Sequence, residues 1–133
     1  MIIAIDFDGT IVTHEYPNIG TLAPMAKEVI NELVAAGHKL FLWSMRSGEK
    51  LDEALIFLED EGINIKVGNR SPAQFSESPK QYAQLYIDDA AVGTPMIKFN
   101  DSWVVDWSVL AYMFMVDGII SKEVYRHITK SDE

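Results

Sequence analysis

Cysteine is absent from the 133 residues, which excludes disulfides, thiolate metal sites, iron–sulfur clusters and cysteine nucleophiles. Long apolar runs are also missing. The longest, Val109 to Val116, is far too short to span a bilayer. Basic residues are scarce: 11 lysines and arginines face 20 acidic residues, for a net charge of -9. Such a field repels long polyanions, so nucleic acid is an unexpected partner. Repeats, linkers and low-complexity stretches do not occur. Met1 runs straight into Ile2–Ile5 and then Asp6, with no basic leader, so a cytoplasmic protein without membrane contact is expected. What is present is ordinary for a folded chain, with 48% hydrophobic and 23% charged residues. One domain over 1–133 is expected.

The apolar pattern alternates between strand and helix. Ile2–Ile5 reads as a buried strand, and a Gly- and Pro-containing loop follows from Gly9 to Gly20. Apolar residues from Leu22 to Val34 recur at helical spacing, with Thr21 as the expected cap, Pro24 in the first turn and Gly37 at the exit. Leu40–Trp43 reads as a strand, Leu51–Leu58 as a helix closed by Gly62, and Ile63–Val67 as a third strand. Ser78-Pro79 opens an expected short helix to about Gln84, before a strand at Leu85–Ile87. This β-α-β-α-β-α-β order predicts an α/β fold with a central parallel sheet and right-handed connections. After Gly93 a hairpin (Ile97–Phe99 and Trp103–Val105) and two helices (Asp106–Val116 and Ser121–Ile128) complete the chain, with a polar tail at the end. The first of these helices is apolar all round, so it is expected to be buried, with a homo-oligomer contact as the alternative.

Open parallel sheets bind ligands beyond the carboxyl ends of their strands. The first strand ends in Asp6-Phe7-Asp8-Gly9-Thr10, the second in Ser44-Met45-Arg46 and the last in Asp88-Asp89. Asp6 and Asp8 lie two apart on extended chain, so their carboxylates are expected to lean the same way. Neighbouring carboxylates repel, and a divalent cation relieves the repulsion. Asp6, Asp8, Asp88 and Asp89 form an all-oxygen donor set that suits Mg²⁺. A carboxylate beside such a cation can attack phosphorus and form an aspartyl-phosphate. The adjacent Asp can then protonate the leaving oxygen and deprotonate water. Ser44 and Lys80 are the candidates to hold the phosphoryl group. Gly9, Thr10 and Arg46 are the candidate substrate contacts, with His14, Glu15 and Tyr16 in the nearby loop.

The Asp6-Phe7-Asp8-Gly9-Thr10 run resembles motif I of the haloacid dehalogenase-like (HAD) superfamily. Ser44 at a strand end resembles its motif II, Lys80 its motif III lysine, and Ile87-Asp88-Asp89 its acidic motif IV. The motifs stand in the family's order within residues 1–93, and 94–133 would complete the domain. The resemblance implies a Rossmann-like three-layer sandwich. It makes Asp6 the nucleophile and Asp8 the acid/base, with the Asp8 backbone carbonyl lent to Mg²⁺. It further implies a phosphatase acting on a small phosphorylated substrate, since dehalogenating members lack the second aspartate. Neither of the two gaps where that family inserts a cap has room for one, so a capless member is expected.

Ser44 and Arg46 are also spaced as in the phosphatase domain of polynucleotide kinase, so a nucleotide or polynucleotide 3′-phosphatase is one alternative. A non-catalytic Mg²⁺-binding protein on the same core is another. Taken singly, an Asp-Gly turn, a strand-end serine or a solvated lysine would be ordinary structural features. Their weight comes from the set.

Overall fold

The computed structural model describes residues 1–130; the expected polar tail lies outside the described residues. Three short strands, β1 (Ile2–Ile5), β2 (Lys39–Leu42) and β3 (Leu85–Ile87), form a parallel sheet in the order β2-β1-β3. Ile3 pairs with Leu40 and Leu85, and Ile5 with Leu42 and Ile87. Because side chains alternate along a strand, these residues share one face. Ile3, Ile5, Leu42 and Ile87 belong to the main core, which they form with Val29, Ile30 and Leu33 of helix α1 (Ala26–Ala35) and with Ala54 and Leu58 of helix α2 (Gly48–Asp60). Ala4, Phe41 and Tyr86 share the opposite face.

Residues 63–67 do not form the third strand that their alternation predicts. Ile63 and Ile65 are buried, but pairing begins only where Leu42 N donates to Val67 O (2.9 Å) and Asn69 N to Leu42 O (2.7 Å). The Ile65 amide bonds back to Ile63 O at 2.9 Å, which curls the segment away from β2. The helix expected at 78–84 is also absent. The Gln74 amide donates to the carbonyls of Ser76, Ser78 and Lys80 and accepts from Tyr82 N at 2.7 Å. One side chain thus supplies the bonds that a helical backbone would have made for itself. This loop lies against Tyr86, whose hydroxyl donates to Gln81 O at 2.6 Å.

Helix α1 starts later than expected. Thr21 bonds with Thr13 through N···Oγ1 (2.9 Å) and O···N (2.8 Å), which holds it in the preceding loop rather than at a cap. The expected hairpin is present as β4 (Met96–Phe99) and β5 (Ser102–Val105). Its turn has Asn100 and Asp101 at φ 50° and 60°, the left-handed pair that a tight hairpin needs. Helices α3 (Trp107–Val116) and α4 (Lys122–Thr129) are capped by Asp106 and Ser121 and pack on α1.

The expectation that α3 is covered all round holds for half of it. Trp107, Leu110, Ala111 and Phe114 are buried, while Val109, Tyr112, Met113 and Val116 remain partly open to solvent. Trp107 anchors this C-terminal unit to the motif loop, because its indole Nε1 donates to Thr10 O at 2.8 Å. Val105 N adds a bond to Gly9 O at 3.2 Å. Among the described residues, no helix is long and apolar enough to cross a membrane.

Candidate active site

The sheet brings two acidic strand ends together. Asp6 follows β1 directly, and its amide donates to Ile87 O at 2.9 Å, which fixes it beside Asp88 and Asp89 at the end of β3. Asp6, Asp88 and Asp89 each offer a carboxylate oxygen, and the three oxygens lie within 4.8 Å of one another. Thr10, fully buried, joins the two ends. Its Oγ1 donates to Asp6 Oδ2 (2.9 Å) and accepts from Asp89 N (3.1 Å). Gly9 holds φ +81°, and a Cβ there would strike the Asp89 carboxylate. The Gly-Thr pair therefore builds the acidic cluster. Both residues are buried, so neither takes the substrate-binding place expected for it.

The cluster concentrates carboxyl groups in a partly buried place. Burial, and then the neighbouring Asp88, push the Asp6 carboxyl up to about 8. Asp89 is raised as well, chiefly by burial. The only salt bridges among the described residues are Arg46–Asp8 and Lys50–Glu53, so none neutralises the three acids. Three converging carboxylates without a salt bridge are a donor set that fits a hard divalent cation.

Asp8 has a different environment. Arg46 Nε and Nη2 donate to its two oxygens, both at 2.8 Å. The Arg46 side chain is only 1% exposed. Its Nη2 also donates to Asn18 O at 2.8 Å, and its guanidinium lies 5.2 Å from the Phe7 ring centroid and 5.0 Å from that of Tyr16. Hydrogen bonds to Asp8 hold the guanidinium firmly protonated. Arg46 is therefore not an open phosphate contact. It joins Asp8, the loop at Tyr16–Asn18 and the end of β2 in one buried clamp. Its burial is a tertiary fact, with no local signal in the sequence.

These groups line one pocket of about 510 Å³. Asp6, Asp8, Asp88 and Asp89 contribute to it, Ser44 and Arg46 come from the β2 side, and His14, Tyr16, Met45 and Ala90 complete the wall. Ser44 is fixed by Asn69, whose Oδ1 accepts from Ser44 N (2.8 Å) and whose Nδ2 donates to Arg46 O (3.0 Å). Asn69 reaches this position at φ 56°, a conformation asparagine tolerates better than most residues. Its identity was the one available hint of this bracing role. Lys80 does not join the pocket. It is exposed on the 71–84 loop, with Nζ 5.7 Å from the Tyr86 ring centroid, and lines a separate cavity with Phe75 and Tyr82. The loop that replaces the expected helix is what carries it there.

No family model matches the chain, and no curated protein matches it. A solved structure of a conserved protein coded by a locus from Bacteroides thetaiotaomicron is 36% identical, covers 91% of this chain and 93% of that one, and superposes with a TM-score of 0.73. The chain belongs to that protein's family. The likeness carries fold and kinship.

Two outcomes are expected. Arg46→Met leaves Asp8 half-buried and unpaired, and should cost about 3–5 kcal/mol in urea unfolding. The double change Asp8→Leu with Arg46→Met should cost less than this single one. The second outcome concerns pH. Without metal, folded Asp6 keeps its proton to about pH 8, whereas the unfolded chain releases it near 3.8. Its contribution to stability is thus complete at low pH and is lost as pH rises to about 8. The Tm difference between the metal-free natural chain and Asp6→Asn should therefore drift against the natural chain across that interval. A difference that is flat, or that drifts the other way, would contradict the electrostatic reading.

Proposed function

We propose that the protein is a Mg²⁺-dependent phosphate monoester hydrolase that works through an aspartyl-phosphate on Asp6. In this reading it is a capless HAD-like phosphatase, with the 71–84 loop against the Tyr86 face of the sheet where a helical layer was expected. The observation that carries the proposal is the meeting of Asp6 with Asp88 and Asp89 at the carboxyl end of a parallel sheet, in one pocket with Asp8 and Ser44.

Asp6, Asp88 and Asp89, with the Asp8 backbone carbonyl implied by the resemblance, would hold Mg²⁺, which supplies charge neutralisation for the carboxylates and the phosphoryl oxygens. Ionised Asp6 attacks phosphorus while the bond from phosphorus to the leaving oxygen breaks. Thr10 fixes the carboxylate for this step through its bond to Oδ2. Ser44 Oγ, which accepts from Arg46 N at 3.0 Å, keeps its own proton to donate to a phosphoryl oxygen. In the second step, water attacks phosphorus, its proton passes to Asp8, and the bond to Asp6 breaks to release phosphate. The two hydrogen bonds from Arg46 fix the Asp8 carboxylate in the pocket for this step. Both Asp8 oxygens accept from Arg46, so an aryl phosphate, whose leaving group departs without prior protonation, is the proper test substrate.

The nucleotide or polynucleotide 3′-phosphatase alternative draws on Arg46 and on the missing cap, and the buried Arg46 withdraws the first of these. The position of Lys80 outside the pocket is the one observation that favours a Mg²⁺-binding protein without turnover. Phenyl phosphate hydrolysis separates the two. Turnover should require Mg²⁺ and fall by about 10³-fold or more in Asp6→Asn. It should stay within about threefold in Lys80→Ala, as expected for a surface lysine. Calorimetric Mg²⁺ binding without turnover would instead favour the binding role.

A further inference from the structure

The walls of the pocket restrict what it can hold beyond the phosphoryl group. Four aspartates line it, and its only arginine is buried and fully engaged by Asp8 and the Asn18 carbonyl. His14, the remaining basic residue, lies close enough to Asp89 that any charge it carries acts first on that carboxylate. Lys80 lies elsewhere. Among the residues that line the pocket, none is therefore free to neutralise a second anionic group. The rim is of another kind. Met45 is 99% exposed and Tyr16 is 52% exposed, and the two offer apolar and aromatic surface beside the acidic floor. The rim is also held in place, because the Arg46 clamp grips the Tyr16 ring and the Asn18 carbonyl from below.

We infer that the substrate carries one phosphoryl group on a leaving group that has no further negative charge and packs against Met45 and Tyr16. The inference rests on the phosphatase reading and narrows its substrate class. Phosphate esters of uncharged or cationic alcohols and phenols fit. Bisphosphates, nucleoside polyphosphates and polynucleotide ends do not, because each would set an unpaired anion against the acidic wall.

Phenyl phosphate and its meta-carboxylate test this. Their phenols ionise alike, so chemistry at phosphorus is matched and only the distal charge differs. The uncharged ester should have a kcat/KM about tenfold higher, with the difference in KM, as expected for one like charge at several ångströms. Added salt should shrink the gap. Met45→Lys should narrow it to about threefold or less, and Met45→Glu should widen it. Both are changes at a solvent-exposed position that the fold tolerates. Equal turnover of the two esters, or a ratio unmoved by both Met45 variants, would overturn this inference and leave the phosphatase reading standing. No turnover of either ester would overturn both.

Discussion

The ion pair between Arg46 and Asp8 sorts the acidic residues of the pocket. Four aspartates converge at the ends of β1 and β3, and the protein supplies a cation for one of them. Asp8 is met on both oxygens by a buried guanidinium. Asp6, Asp88 and Asp89 receive no such partner, and burial, with the neighbouring carboxylates behind it, raises Asp6 and Asp89. One pair of hydrogen bonds thus sets an aspartate held by arginine apart from three that are not. The same arginine ties the Tyr16–Asn18 loop to the end of β2, so the rim of the pocket depends on that pair as well.

The fold serves this division by bringing distant segments to one edge. Thr10 bridges the strand ends through its hydroxyl and meets the Trp107 indole through its carbonyl. The C-terminal hairpin and helices therefore brace the motif loop from behind. Asn69 plays a similar part for Ser44 and Arg46 on the other side. The residues next to the chemistry are short and polar, and they are held by partners that lie 23 to 97 positions away in the chain.

Much of this was legible in the residues themselves. The buried runs at Ile2–Ile5 and Leu85–Ile87 and the turn at Asn100-Asp101 announce their structures through local chemistry, and the structure has them there. Asp6, Asp8, Ser44, Asp88 and Asp89 could be gathered in advance because parallel strands all deliver their ends to one side of a sheet. Other features depend on partners that spacing does not reveal. The Gln74 side chain captures three carbonyls and keeps 78–84 out of a helix, and Lys80 goes with that loop. Ser44-x-Arg46 reads as a phosphate contact until the burial of the guanidinium is seen. Residues 63–67 alternate like a strand but pair with β2 only at their end, because register depends on the neighbour as well as on the pattern.

The central claim is that Asp6 becomes covalently phosphorylated during turnover. Borohydride added during steady-state hydrolysis of phenyl phosphate reduces an acyl phosphate to an alcohol, and peptide mass mapping locates the change. The account predicts reduction of Asp6 alone, dependent on both Mg²⁺ and substrate. Turnover with Asp6 unmodified, or with the label on Asp8, would contradict it.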